Sequence, residues 1–378
     1  MNVIDVSKKC VGCGACVDVC PTKALQLNKN EDGFYVAMPC GDDCVHCQKC
    51  IKVCPALENA KKHRLAEFYY GWSVDERTRL HSSSGGAFSL LAEQILSEGG
   101  VVFGARYADD FKSVVMSSTE DCDLDQLRRS KYCQSNPDGI YAKANALLHA
   151  EKKVMIVGTP CQIAAARNIF GNNKHLLLVD FMCGGVTPST AFENYISHIE
   201  RKFNSKVKSI NMRDKSLNWS KMKIRIEFEN GKIYSSRYQL DPYYHYYCTP
   251  DLKNEPCLSC AFTDHKDADI TIADFWGYTK ANIPNDGKGI SLICTYTEKG
   301  NRYLNCIKNK MEIHSLDASF AEYAYKEKQH SPEGLLKRER FLKAVRHSSF
   351  MEAAKKDRFK YGKIGILAKT LKRKVVGK

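Results

Sequence analysis

The stretch "VMIVGTPCQIAAARNIF" (154–170) runs from "VMIVG", of buried-strand composition, into the helix-patterned "CQIAAARNIF", with Cys161 at the join. A cysteine there is a nucleophile, a metal ligand or packing filler. A thiol at a helix N-terminus has a lowered pKa, which serves nucleophile and ligand alike. The strand-then-helix pattern extends to both sides. "FYYGWS" (68–73) and "VVFGARY" (101–107) are strand-like around the amphipathic "GGAFSLLAEQILSEGG" (85–100), which Gly99 and Gly100 stop. "PDGIYAKANALLHAEKK" (137–153) is helical and "HLLLVDFMC" (175–183) is a strand. "PSTAFENYISHIERKF" (188–203) is a helix with Pro188 in its first turn. The alternation predicts a mixed α/β domain. A more β-rich portion follows, with a hairpin around Asn230-Gly231 within 222–238 and strands in 268–277 and 289–297. Helices are expected over 299–310 and 332–346.

At 378 residues the chain has room for two or three domains. No run of eighteen apolar residues is present, so a membrane span is not expected. The start "MNVIDVSKKC" lacks the pattern of an export signal. Eighteen cysteines without such a signal argue for metal ligation over disulfides, in a reducing cytoplasm.

Residues 1–60 hold an internal repeat. "CVGCGACVDVCP" starts at Cys10 and "CVHCQKCIKVCP" at Cys44; all four cysteines recur, and Pro21 and Pro55 close the two runs. This is C-x2-C-x2-C-x3-C-P twice, the ligand pattern of a two-cluster 4Fe–4S ferredoxin, in which the fourth cysteine of each run serves the other cluster. Cys10, Cys13, Cys16 and Cys54 are expected to hold one cube, and Cys44, Cys47, Cys50 and Cys20 the other. Gly12 and Gly14 permit the tight loop, and the prolines stop helix through the ligand. Tetrahedral zinc is the rival, but duplicated quartets with proline favour iron–sulfur. "GFYVAMP" (33–39) is strand-like between the halves. Cys40 has no vacancy to fill and is expected as a packing residue. Residues 58–67 form a charged linker.

Two clusters make a one-electron wire, so the remaining chain must supply a redox partner. "HSSSGGAF" (81–88) is a small-residue loop opening a helix, suited to receive a phosphate or simply to cap that helix. "RRSKYCQS" (128–135) sets Lys131, Gln134 and Ser135 together, to bind phosphate or polarise a flavin carbonyl, or as a surface turn. No G-x-G-x-x-G follows a strand, so any dinucleotide binds by other rules. Cys183 ends the strand after Cys161, and "PCLSC" offers Cys257 and Cys260. Two parallel strands would present Cys161 and Cys183 at one edge. With the C-x2-C pair they make four ligands for a third cube. Ligand is the favoured role of Cys161, over redox thiol and packing.

Together, "SSGGAF", "SKYCQS", "VGTPCQIAA", "VDFMCGGVTP" and "CLSC" followed by "ADITIADFWG" resemble the coenzyme F420 hydrogenase/dehydrogenase beta-subunit family, behind a two-cluster ferredoxin module. The resemblance covers residue 1 to about 330. It implies an α+β chain: a bacterial-type dicluster ferredoxin domain (1–60), then a mixed α/β flavin-binding domain. That domain has an N-terminal part (68–150) and a β-rich C-terminal part with the third cluster (151–330), and a helical basic tail (331–378) follows. It further implies FAD, with Ser84, Gly85, Gly86, Lys131, Gln134, Ser135, Thr159 and Pro160 as FAD-site candidates, and Cys161, Cys183, Cys257 and Cys260 for the third cluster. Two departures stand out: Gly184 follows Cys183 where the family often has histidine, and Cys133 sits at the variable position of "SKY-x-QS". Asp274 and Trp276 are candidates to lie near the cofactors or are ordinary structure. "YQLDPYYHYYCTP" (238–250) lines a hydride-donor pocket or packs the core.

The expected function is an iron–sulfur flavoprotein oxidoreductase that exchanges hydride with a deazaflavin (coenzyme F420-like) or other organic partner. The alternatives are a ferredoxin-dependent reductase of a biosynthetic metabolite and a non-catalytic electron-transfer component of a larger complex. The partners implied are ferredoxin or another redox protein. The formal charge of +14 does not make a nucleic-acid binder. Three cubes offset about −6 of it and a pyrophosphate about two more. The remainder is concentrated in the tail 355–378, a solvated helix or a contact for an acidic partner or anionic membrane surface.

Overall fold

Glycine sets the first turn of the N-terminal block. Gly12 has φ +68°, and a Cβ on it would lie 2.3 Å from the Tyr35 carbonyl oxygen and 2.4 Å from Gln134 Nε2. Only glycine lets this loop lie so close. A computed structural model describes Val3 and residues 10–57, 66–263, 267–321 and 332–357. In the N-terminal block, β1 (Leu25–Lys29) and β2 (Tyr35–Pro39) pair antiparallel between two one-turn helices, Ala15–Asp18 and Lys49–Lys52. Each helix follows a left-handed residue, Gly14 or Gln48, and carries the third cysteine of its run, Cys16 or Cys50. The sequence repeat is thus a structural one.

The rest is organised by a nine-stranded mixed sheet. Its strands are β3 (Glu67–Ser73), β4 (Val101–Tyr107), β5 (Val114–Ser118), β6 (Ser135–Asn136), β7 (Val154–Gly158) and β8 (Leu176–Phe181). A separate three-stranded sheet follows, β9 (Val207–Asn211), β10 (Lys223–Phe228) and β11 (Ile233–Arg237), and β12 (Ile270–Asp274), β13 (Ser291–Thr295) and β14 (Met311–Ser315) return to the large sheet. The order of the large sheet is β14-β3-β13-β12-β8-β7-β4-β5-β6. Its centre, β4, β7, β8 and β12, is parallel, and antiparallel strands flank it. Continuous apolar runs suit strands covered on both faces. Met155, Ile156, Leu177 and Leu178 are all buried. Because β3 lies between β13 and β14, the parts expected at 68–150 and 151–330 share one sheet.

Helix Pro160–Phe170 leaves β7, and helix Ser189–Phe203 follows β8. Pro188 sits one position earlier than expected, as the N-cap, because its extended φ of −69° and ψ of 143° end the loop. The expected hairpin forms with Gly231 at φ +78°. Strands β1, β5, β9 and β14, short or partly polar, carry too little apolar alternation to have been foreseen. Cys40 is exposed, so it fills no core, whereas Cys133 is buried among Ala191, Tyr243 and Tyr195. The linker at 58–65, His265 and the tail beyond Asp357 lie outside the described residues.

The N-terminal block is bolted to the large unit. Gln134 accepts from the Tyr35 backbone N–H at 2.7 Å and donates to its carbonyl at 3.0 Å, as a strand neighbour would. Asp18 receives the N–H groups of Gly139, Tyr141 and Ala142 at 3.0, 2.8 and 3.3 Å, capping helix Ile140–His149 from across the boundary. Gly33 fits against Thr190, whose Oγ1 a Cβ would overlap. Truncating Gln134→Ala is expected to leave both Tyr35 groups without their partner, at a cost of roughly 2 kcal/mol. Faster hydrogen exchange at the Tyr35 amide, with β1 amides less affected, is the readout; unchanged exchange there refutes the docking role.

Candidate redox centre and cofactor cavity

β7 and β8 run parallel with Gly158 opposite Asp180. Cys161 and Cys183 each lie three residues beyond that pair, so both leave the sheet at its carboxyl edge. Thr159 and Gln162 form a capping box that starts the helix behind Cys161. The Thr159 N–H donates to Gln162 Oε1 at 3.0 Å, and Thr159 Oγ1 lies 3.2 Å from Cys161 Sγ. Gly158 is required there, since a Cβ would come within 2.9 Å of Gln162 Oε1. Cys257 is brought in by a short turn. The Asn254 N–H donates to Val186 O at 3.1 Å and the Cys257 N–H to Asn254 O at 3.0 Å. Gly185, at φ +88°, allows the close approach, as its Cβ would press on Cys257 Cβ at 3.1 Å.

The electrostatics tie the four sulfurs together. Burial pushes the Cys161 thiol well up, its bond to Thr159 pulls it partly back, and Cys183, Cys260 and Cys257 push it further. The helix N-terminus was expected to lower this thiol; desolvation and like-charged neighbours win instead. Cys257 is raised to about 12 by burial, then by Cys183, with Cys260 adding to it. Such thiols are poor nucleophiles at neutral pH. A cation that turns them into thiolates is the chemistry the donor set fits. Among the described residues no three His, Cys, Asp or Glu side chains surround a single metal ion. A cube, which spreads its ligands over separate corners, does not ask for that.

The N-terminal cysteines show the same signature. Cys16 is raised to about 12 by burial and by Cys10, Cys54 and Cys50. Cys13 is raised by burial, with Cys16, Cys10 and Cys161 adding to it. Cys13 therefore faces both its own run and the strand-end cysteine. Tyr141 is buried beside Cys13 and Cys161, its hydroxyl donating to Gln162 O at 3.2 Å. Cys44 and Cys47 are exposed, and Cys20, with its sulfur 3.7 Å from Thr22 Oγ1, is half-buried.

A cavity of about 1900 Å³ opens beside the strand-end cysteines, and all four line it. It exceeds the roughly 300–1,000 Å³ of ordinary small-ligand pockets, leaving room for a dinucleotide and a second ring. Ser84, Gly86, Lys131, Gln134, Ser135, Thr159 and Pro160 also line it. Gly85 packs behind the wall, where a Cβ would meet Gly71 O at 2.4 Å. The Ser84 hydroxyl is spent on Ile290 O at 2.6 Å. Gly86, at φ +106°, opens helix Ala87–Ser97 without a side-chain cap, and Gly86, Ala87 and Phe88 line the cavity. The Lys131 ammonium donates to Gln126 O at 2.7 Å and Arg129 O at 3.2 Å, and Ser135 Oγ accepts from Gln162 Nε2 at 3.1 Å. Both are tied into the wall.

Residues that carry no motif complete the cavity. Arg129 and Arg213 line it, and Lys215 lies beside Ser84, its ammonium donating to Arg79 O and Lys288 O at 2.7 Å. Burial lowers Lys215 to about 7; Asp274 opposes this, and Arg213, Arg79 and Arg129 reinforce it. Arg129 and Arg213 thus put positive charge on the cavity, with Lys215 and Arg79 within electrostatic reach of them. Asp274 and Trp276 are also on the cavity. The tyrosine-rich segment divides: Tyr244 and Tyr247 line the cavity, and Tyr243 and Tyr246 pack the core. Of these groups the sequence had signalled only Asp274, Trp276 and the tyrosines; isolated arginines leave no pattern.

Comparison with known proteins agrees. The family profile "4Fe-4S dicluster domain" matches residues 9–57. For the beta polypeptide of coenzyme F420 hydrogenase/dehydrogenase, the profile of its N-terminal region matches 68–138 and that of its C-terminal region matches 151–319. One component of the F(420)H(2) dehydrogenase of Methanosarcina mazei is 23% identical over 318 residues, covering 80% of this chain and 84% of that protein. A chain of the F420-reducing [NiFe] hydrogenase complex from Methanosarcina barkeri superposes with a TM-score of 0.48 and 18% identity, covering 71% of this chain and 90% of that one. With a ferredoxin-type iron–sulfur block at its N-terminal end, the chain belongs to the coenzyme F420 hydrogenase/dehydrogenase beta-subunit family of oxidoreductases.

Proposed function

We propose that this protein is an iron–sulfur flavin oxidoreductase that passes electrons between a hydride-exchanging organic partner and a one-electron carrier. The observation that carries the reading is the position of Cys161, which lines the cavity with Cys183, Cys257 and Cys260 and lies within electrostatic reach of Cys13. Bound FAD would supply the exchange between hydride and single-electron chemistry. The first turn of helix Ala87–Ser97 and the Arg129 guanidinium would hold its pyrophosphate. Ser135, Thr159 and Pro160 would shape the wall near the strand ends, and Phe88, Met116 and Leu127 would keep that wall dry.

Four thiolates from Cys161, Cys183, Cys257 and Cys260 would hold a cube next to the cavity. Cys10, Cys13, Cys16 and Cys54 would hold the next one, across Tyr141. Cys44, Cys47, Cys50 and Cys20 would hold the outermost. This order leads from a closed cavity to an exposed edge, where Val45 (62% exposed) and Leu57 flank the last cysteines and a redox protein would dock. The Methanosarcina mazei relative is named as one component of a dehydrogenase, which favours such a partner over a free-standing metabolite reductase. The hydride donor we propose is a deazaflavin of the coenzyme F420 kind. Among the described residues no helix is long and apolar enough to cross a membrane, and we place the protein in a reducing cytoplasm.

Anaerobic purification should yield about twelve iron atoms per chain from three cubes, together with one FAD. A colourless, flavin-free protein ends this reading. Cys161→Ser should keep the FAD and about eight iron atoms. Stopped-flow absorbance should then show flavin reduction without the iron–sulfur bleaching that follows it in the wild type. Retention of all the iron would remove Cys161 from the ligand set.

A further inference from the structure

Arg213 is 5% exposed and lines the cavity, yet only part of its guanidinium is used. Nη1 donates to Asp274 Oδ2 at 2.6 Å and lies 3.3 Å from Tyr132 Oη. Nη2 is buried and makes no hydrogen bond. The hydroxyl of Tyr244, 1% exposed and on the same cavity, lies beside Tyr132 but makes no well-formed hydrogen bond. Leaving a buried charged donor without an acceptor is costly, so such groups mark the place of an absent acceptor. The surroundings describe that acceptor. The Arg213 guanidinium lies 5.5 Å from the Trp276 ring centroid, and Tyr132 stacks on Tyr247 at 4.1 Å. The wall is thus aromatic, suited to a flat ring. Tyr247, Cys183 and Arg213 line the same cavity, and Tyr247 is in electrostatic reach of both, so the donors share that cavity with the strand-end cysteines.

We infer that Arg213 Nη2 and Tyr244 Oη hold the carbonyl oxygen of a pyrimidinedione-type ring, the oxygen that becomes negative when the ring accepts a hydride. In that step the ring gains a hydride, two electrons and one proton, and the organic donor loses that hydride and is oxidised by two electrons. The ring's extra negative charge sits on the carbonyl side, facing a guanidinium that keeps its protons. Asp274 already neutralises one charge of Arg213, so the unused N–H acts as a fixed dipole aimed at the new charge. The inference rests on the proposed flavin function and assigns its charge-stabilising residues. Two rings share this chemistry, the protein's own FAD and a deazaflavin substrate.

Wild type, Arg213→Gln, Arg213→Lys and Tyr244→Phe, all loaded anaerobically, separate the two. Spectroelectrochemistry gives the flavin midpoint potential, and fluorescence titration gives the affinity for oxidised coenzyme F420. If the ring is FAD, Arg213→Gln weakens reduced-state stabilisation ten- to a hundredfold, a shift of about 30–60 mV to more negative potential for a two-electron couple. If the ring is the substrate, the potential holds and the dissociation constant of reduced coenzyme F420, read by competition against the fluorescent oxidised form, rises by about the same factor while that of the oxidised form changes little. Arg213→Lys restores part of either effect, and Tyr244→Phe gives a smaller change of the same sign. Should Arg213→Gln lose iron through misfolding, Tyr244→Phe decides, because it leaves the pair with Asp274 intact. Both quantities unchanged in Tyr244→Phe and in a loaded Arg213→Gln overturn the inference and leave the proposed function standing. A wild type without flavin overturns the proposed function itself.

Discussion

Four sulfurs from three separate stretches of chain are held near one another inside a protein, and as bare thiols they gain nothing by it. Each raises its neighbours' pKa, and burial raises those deepest in the wall. Ionised, they would repel; neutral, they are weak hydrogen-bonding groups in an expensive position. A cationic inorganic core removes both problems. Much of the surrounding construction reads as the means of holding that convergence. The parallel register of β7 and β8 sets two sulfurs at one edge, and Gly185 admits the third segment. Helix Pro332–His347 then clamps that segment from outside, with Lys337 on Asp251 at 2.6 Å and Arg338 on Lys253 O at 2.8 Å.

The N-terminal block uses a different physics to reach the same place. Its contacts with the large unit are backbone hydrogen bonds made by single side chains, Gln134 to Tyr35 and three N–H groups to Asp18. Burial raises the Asp18 carboxyl, and the three donors recover only part of that cost. The value of the contact is therefore registry more than stability. Electron transfer between centres depends steeply on separation, and a tethered ferredoxin would sample many. A block fixed by directional bonds presents Cys13 toward Cys161 in one arrangement.

The ferredoxin repeat and the parallel core were legible because both are periodic: cysteines at fixed spacing, and apolar runs of strand length. Cys161, Cys183, Cys257 and Cys260 were legible as a set only by topology, since β7 and β8 had to be neighbours before their ends could be. The residues proposed for FAD were legible as loops that meet at one cavity more than as individual contacts. Gln134 turned out to serve docking, Lys131 a local turn and Gly85 close packing. For Gln134 and Gly85 the partner was a backbone group far off in the chain, which spacing cannot encode. Arg213 and Lys215 left no trace at all, and Arg129 stood unsingled within "RRSKYCQS". A single arginine after an edge strand acquires meaning only when folding sets it opposite a cavity.

Those basic groups also explain how one cavity can serve both a phosphate and a redox ring. Arg79 is answered by Asp286 and Arg213 by Asp274. Lys215 has carbonyl partners but no carboxylate of its own among the described residues, and burial with its basic neighbours holds its pKa near 7. An anionic ligand in the cavity would favour the charged form of Lys215, so ligand binding and protonation would be linked there. At Arg213 the field is already balanced by Asp274, and the guanidinium would respond little to the ligand's resting charge. It is poised for charge that appears later. Under the proposed function, dividing these tasks between residues would let a flavin bind by its phosphates without fixing in advance the oxidation state of its ring.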